Sequence, residues 1–483
     1  MRKRTLLLAT ALTTGLLALP LTATATSASA SASATPSGLS GDFNGDGYRD
    51  VAIGVPEGIN GATDAGYVAV VYGTAAGVDP AKRKVISQNS TGVPGSSEGG
   101  DSFGAKLAVA DLDKDGYTDL AVGAPGEDIG PNTDQGSVTI LWGGSAGVSG
   151  GTTVSVPKAF DGAMVGSELA TGDFDGDGSA DLAVSTPPAD LQIQHGPFTR
   201  SGGAGVTETV HVAAESGTFV RNLTAGDVTG DKKADLVVQA RRDAEGQSLA
   251  WLYTGSGTGL VRSAQLPDSD TAAIGDLDKD GYRDIAVGDS YETTAMGGRV
   301  SVAYGAPSGL SSTKGASFHQ STSGVPGTAE SGDMFGGSLA IGDTNGDGYG
   351  DLVIGAPGED LGTKPDAGDF VVLRGSASGA TASGAKSFSQ DTSGIPGSAE
   401  KGDRFGSALQ LSDTSKDGRA DLAVSAIGEA APHESVHSGA VWRIRGSSTG
   451  LTATGSLAIS PDDVGRAWDD ETFGAALGGN TPN

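Results

Sequence analysis

The sequence predicts an all-β protein: a seven-bladed β-propeller of four-stranded antiparallel blades. Three observations carry that expectation. An aspartate-rich nine-residue segment returns seven times, and short apolar runs flank each copy at similar distances. A spare strand-like piece at the C-terminus also matches one that is missing at the N-terminus.

The repeated segment reads D-x-[DN]-x-D-G-x-x-D. Five copies are full: Asp42, Asn44, Asp46 and Asp50; Asp111, Asp113, Asp115 and Asp119; Asp173, Asp175, Asp177 and Asp181; Asp276, Asp278, Asp280 and Asp284; Asp343, Asn345, Asp347 and Asp351. Two are degraded: Asp227, Thr229, Asp231 and Asp235, then Asp413, Ser415, Asp417 and Asp421. Successive first aspartates lie 49 to 70 residues apart, too long for a solenoid rung and suited to a four-stranded blade.

The flanking text supplies the strands. Around the second copy, residues 103–110 lead in and residues 120–123 lead out, stopping before Pro125, which has no N–H to give a ladder. Residues 137–142 alternate as a third strand, Gly143 to Gly147 forms a turn, and Thr152 to Val156 is the expected fourth. The first loop starts at Asp42 with too little chain before it for a leading strand, whereas Phe473 to Leu477 matches the lead-in Phe405 to Leu409 but precedes no loop. A C-terminal strand that completes the first blade would close the ring and remove its open edges.

Composition agrees. The 483 residues include 80 glycines and only 5% aromatics, which describes short strands and many turns rather than helices around a bulky core. Arg2, Lys3 and Arg4 precede an apolar stretch from Leu6 to Leu21 and a small-residue tract with Ala-x-Ala options, so residues 1–34 read as a signal peptide and lead rather than a membrane anchor. Residues 35–483 read as one propeller, secreted and extracellular. A net charge of −28 argues against nucleic-acid partners and against membrane insertion. With no cysteine, stability outside the cell must rest on something other than disulfides, and a metal is the natural staple.

The loops suit calcium, which takes 6–8 hard oxygen ligands. Positions 1, 3, 5 and 9 bring side-chain oxygens, position 7 offers a carbonyl, and glycine at position 6 permits the sharp turn. Carboxylates about 5 Å apart would repel by roughly 3 kcal/mol per pair at an effective dielectric of 20. An EF-hand would need Glu at position 12, but Val122, Val184 and Val287 stand there. The simpler alternative is a set of Asp-Gly turns that only cap hairpins. Thr229, Lys232 and Lys233 lead us to expect an empty fourth loop; Ser415 leaves the seventh open, giving five or six ions in all.

Phe103-Gly104 before a loop and Gly123-Ala124-Pro125 after it recur as Phe335-Gly336 with Gly355-Ala356-Pro357. These segments resemble FG-GAP repeats, which form the propeller of integrin α subunits and of many bacterial secreted proteins. The resemblance implies the fold, the calcium loops and a role in binding or adhesion. Departures occur at Ser185-Thr186-Pro187, Gly288-Asp289-Ser290 and Ser425-Ala426-Ile427, and the fourth unit has no clear Phe-Gly.

Strand alternation places the Asp loops and the 3–4 turns on one face, and the 2–3 loops and blade-to-blade crossovers on the other. The crossovers repeat Glu98 with Asp101, Glu330 with Asp333, and Glu400 with Asp403, which suggests pinning of the crossover rather than ligand contact. Three catalytic or adhesive look-alikes are weak. His433-Glu434-x-x-His437 falls in a loop, not a helix; Gly143-x-Ser145-x-Gly147 is a turn; and Lys401-Gly402-Asp403 is repeat text. The expected protein is thus a monomeric, non-catalytic, calcium-binding module for an extracellular protein or glycan. The alternative is an extracellular hydrolase, phospholipase-like or metal-dependent, built on the same scaffold.

Overall fold

The computed structural model describes residues 37–156, 160–203, 205–212, 217–242, 246–291, 297–430 and 437–478. The signal-peptide expectation for residues 1–34 lies outside them. Among the described residues twenty-eight strands form seven four-stranded antiparallel sheets, six of them simple meanders and one completed by the last strand. Among the described residues the remaining regular element is one 3-10 turn, Asp462–Val464, and no helix is long and apolar enough to cross a membrane.

The ring closes as the sequence anticipates. Ala476–Gly478 pairs antiparallel with Val51–Val55, with Ala52 opposite Gly478 and Gly54 opposite Ala476, so the last strand is the inner strand of blade one. In blade two the strands are Lys106–Ala110, Asp119–Ala124, Ser137–Trp142 and Ser149–Thr153. The outer strand starts three residues before the expected Thr152. The reason is the tight 3–4 turn, in which Gly147 N–H donates to Gly144 at 2.7 Å and lets Ser149 pair at once with Trp142.

Period-two alternation leaves each central strand apolar on both faces, so neighbouring blades bury those faces against each other. The result is seven apolar clusters, each shared by two adjacent blades. Blades one and two meet around Val70, Phe103, Leu107 and Val122, and the closing pair, seven and one, meets around Ile53, Val441, Ile459 and Phe473. No single central core exists; cohesion runs around the ring.

The Phe-Gly and Gly-Ala-Pro texts are the joints of that ring. Phe103 is fully buried, and its N–H donates to Ala65 of the preceding blade at 3.1 Å. Gly104 N–H donates to Gly123 of its own blade at 3.0 Å. A Cβ on Gly123 would lie 2.0 Å from the Gly166 carbonyl of blade three, and one on Gly54 would lie 2.2 Å from that of Gly104. Glycine is needed there because two backbones touch across the blade boundary.

Candidate metal loops

In blades two to seven the Asp loop joins the innermost strand to the next, and in blade one it leads into the second strand. The loop's shape is fixed by the first aspartate. In blade one, Asp42 Oδ1 accepts the N–H of Gly45 at 2.7 Å and Oδ2 that of Gly47 at 2.7 Å. Asp173 does the same for Gly176 and Gly178, at 2.7 and 2.8 Å. Position 3 then accepts from position 5, and position 5 from position 7, as in Asn44 to Asp46 and Asp46 to Tyr48 at 2.8 and 3.0 Å. Positions 4 and 6 both carry positive φ, so glycine is favoured at two sites, not one.

Position 9 has a role that spacing did not reveal. Its carboxylate is buried in all seven blades and ties the loop to the 3–4 turn. It does so through two backbone N–H groups in most blades, and through the Thr414 hydroxyl and the Gly446 N–H at Asp421. Asp50 Oδ2 accepts from Phe43 at 2.8 Å, and Oδ1 accepts from Gly73, at the 3–4 turn, at 2.8 Å. Asp119 repeats this with Leu112 and Gly143 at 2.9 and 2.8 Å, and Asp284 with Leu277 and Gly305 at 2.9 and 3.0 Å. Each oxygen keeps a second lone pair, so the clasp does not forbid a ligand role.

The electrostatics of these carboxylates are unfavourable without a cation. Burial, opposed by the backbone N–H bonds and reinforced by neighbouring aspartates, pushes Asp50 up to about 8, Asp119 and Asp284 to about 7 and Asp181 to about 6. Side-chain cations answer part of that demand. Arg200 of blade three donates through Nε to Asp113 and Nη2 to Asp115, both at 2.7 Å, across the loop of blade two, and Lys314 pairs with Asp278 of blade five. The donor set of the full loops, hard oxygens on a preformed turn, fits a calcium ion.

Carboxylate oxygens converge within 4.8 Å in Asp111, Asp113 and Asp115, in Asp173, Asp175 and Asp177, and in Asp276, Asp278 and Asp284. Asp42 with Asn44 and Asp46, and Asp343 with Asn345 and Asp347, keep the same turn with a carboxamide at position 3. Blade seven also keeps the turn: Asp413 accepts from Asp417 and Gly418 at 3.0 and 2.9 Å, while Ser415 Oγ is buried without a hydrogen-bond partner. In blade four Asp227 accepts from Gly230 and from Lys232, which takes the glycine position at φ 71°, and Lys233 Nζ bonds Asp231 at 2.6 Å. One further cluster, Asp175, Asp181 and His195, was not anticipated. Its signal was available, since His195 stands before the glycine that ends the third strand, where other blades carry Tyr72, Trp142, Thr254, Tyr304, Arg374 or Arg445.

The opposite face is pinned rather than open at the repeated acids. Asp101, Asp333 and Asp403 are buried, and each accepts the backbone N–H of Glu98, Glu330 or Glu400 at 2.5–2.6 Å. Asp403 is 1% exposed, which removes Lys401-Gly402-Asp403 as an adhesive tripeptide. Gln320 donates to Glu359 at 2.5 Å and Gln390 to Glu429 at 2.6 Å, and Gln88 pairs with Glu127 in the same way, tying each crossover to the next 2–3 loop. Of the H-E-x-x-H look-alike, His433 and Glu434 lie outside the described residues, and His437 Nδ1 sits 2.7 Å from the Gly428 carbonyl.

Comparison with known proteins agrees with this geometry. The FG-GAP repeat family profile matches residues 34–71, 103–141, 165–212 and 335–373, and an FG-GAP-like repeat profile matches 227–287. Phosphatidylinositol-glycan-specific phospholipase D of Rattus norvegicus is 35% identical over 150 residues, 31% of this chain and 18% of that protein. Integrin alpha-5 of Xenopus laevis is 28% identical over 229 residues, 43% of this chain and 21% of that one. Integrin alpha-PS5 of Drosophila melanogaster is 33% identical over 158 residues, 31% and 14%. The matches therefore span about a fifth or less of these relatives. The chain thus carries FG-GAP repeats, and the matched segments lie in blades one to six of the propeller.

Proposed function

We propose that this protein is a secreted, non-catalytic binding or adhesion module whose Asp loops hold calcium as a structural staple. The observation that carries the reading is the repeated loop itself. In five blades a full oxygen set sits on a turn already shaped by the first aspartate, beside a buried carboxylate short of positive charge. Positions 1, 3 and 5 would hold the ion and position 9 would support it. The ion would supply charge neutralisation to the hairpin, with no chemistry on a substrate. The more varied loops of the opposite face would then meet the ligand, an extracellular protein or glycan.

Calcium titration by calorimetry with parallel thermal melting tests the staple. We expect several equivalents per chain and a fall in melting temperature on chelation; an unchanged melting temperature would sink it. A second reading has one observation in its favour, the 35% identity to a phospholipase D. Hydrolysis of a phosphatidylinositol-glycan substrate by the purified chain would move the assignment to that reading.

A further inference from the structure

Blade three differs from its neighbours in one chemically decisive way. Its loop is overlaid by an imidazole. His195 Nδ1 has no exposed surface and no hydrogen-bond partner, and it faces two carboxylate oxygens, Asp175 Oδ2 at 3.2 Å and Asp181 Oδ1 at 3.4 Å. Three different segments thus bring a nitrogen and two oxygens to one point: the loop, the second strand and the end of the third. The His195 side chain is 14% exposed and Asp181 is fully buried, so the point is largely shielded from water.

Two ligands bound at about 2.0–2.1 Å to one tetrahedral ion would lie roughly 3.3 Å apart, which matches both distances. Imidazole nitrogen suits zinc and its first-row neighbours, whereas calcium takes oxygen. The other ring nitrogen, Nε2, points to Glu208 Oε2 at 3.8 Å, where metal-bound histidines commonly find a carboxylate that orients the ring. Asp173 and Asp177 converge with Asp175 in a separate group, so water would complete a tetrahedral shell.

We propose that blade three carries a transition-metal site, for zinc or a similar divalent ion, ligated by Asp175, Asp181 and His195 and distinct in preference from the all-oxygen loops. This does not depend on calcium binding elsewhere, because the two ions are counted separately. The alternative is a metal-free contact of His195 with the two carboxylates.

The test uses the full mature chain, stripped of metal and dialysed against zinc in a large excess of calcium, with His433→Ala and His437→Ala in the background. About one zinc per chain is expected by mass spectrometry, falling at least tenfold in affinity in His195→Gln with calcium stoichiometry at the other loops unchanged. Zinc retained in His195→Gln, or no zinc retained against calcium by the parent, overturns the proposal. If His195→Gln fails to fold, X-ray absorption of the zinc-loaded parent decides. An imidazole nitrogen in the shell supports the site, and an all-oxygen shell refutes it.

Discussion

Blades two and four share a fold but not a loop chemistry, and the difference separates two jobs that the same nine-residue text performs. Blade two has aspartate at all four positions and glycine at the sixth. Blade four has Thr229 at the third position and Lys232 at the sixth, and Lys233 pairs with Asp231. Yet Asp235 is as buried as Asp119. It bridges Val228 and Gly255 at 2.8 and 2.9 Å, as Asp119 bridges Leu112 and Gly143. In blade four the first aspartate still shapes the turn and the ninth still clasps the hairpin. The ninth position thus serves the hairpin with or without a full oxygen set, whereas under the proposed function positions 1, 3 and 5 of the full loops would hold the ion.

That division is breakable by mutation, starting with its largest effect. Asp119→Ala and Asp235→Ala should each destabilise by about 3 kcal/mol or more, since each removes two charge-assisted bonds and orphans buried N–H groups. The loss should persist in EDTA, and denaturant melts of both variants with and without calcium check it. Asp113→Ala should instead lower calcium stoichiometry by one and reduce the melting temperature only when calcium is present. Thr229→Ala, at the same position in blade four, should do neither.

A smaller effect concerns acidity. Glu127 and Glu429 are pushed up to about 7 by burial and nearby acids, against the pull of Gln88 and Gln390, and Asp333 likewise reaches about 7. An acid whose folded pKa is raised binds its proton more tightly when folded, so its contribution is full below the unfolded value near 4.5 and is lost as pH rises through 7. Without calcium the protein should therefore melt higher at pH 5 than at pH 7.5, and Glu429→Gln should lessen that decline; the opposite slope would contradict the burial argument. The smallest effect expected is from Lys232→Gly, a gain of up to about 1 kcal/mol from relieving a side chain at φ 71°, read from the same melts.

Much of this architecture was legible because it is local or repeated. Alternation gave the strands, and the unmatched lead-in at Phe473 gave the closure. Contacts between distant segments were not legible. The partnership of Gly123 with Gly166 across a blade boundary depends on how blades pack, which no spacing within a repeat encodes. The Gln–Glu clasps recur at a constant separation of 39 residues in three blades, a regularity that could have exposed them. The clasp by position 9 was hidden because one carboxylate serves both hairpin and loop. His195 stands out only when the seven third-strand ends are aligned, where the other blades carry aromatic residues, arginines and one threonine.

The central claim is that the intact Asp loops hold calcium and the degraded fourth does not. A crystal structure grown in calcium, with anomalous differences measured at a wavelength where calcium scatters, tests it most directly. The account predicts peaks between positions 1, 3 and 5 in blades one, two, five and six, a blade-three peak drawn toward His195 if a transition metal is carried through purification, and none at Asp227. Empty loops in the blades with the full set, or a peak of equal strength in blade four, would contradict it.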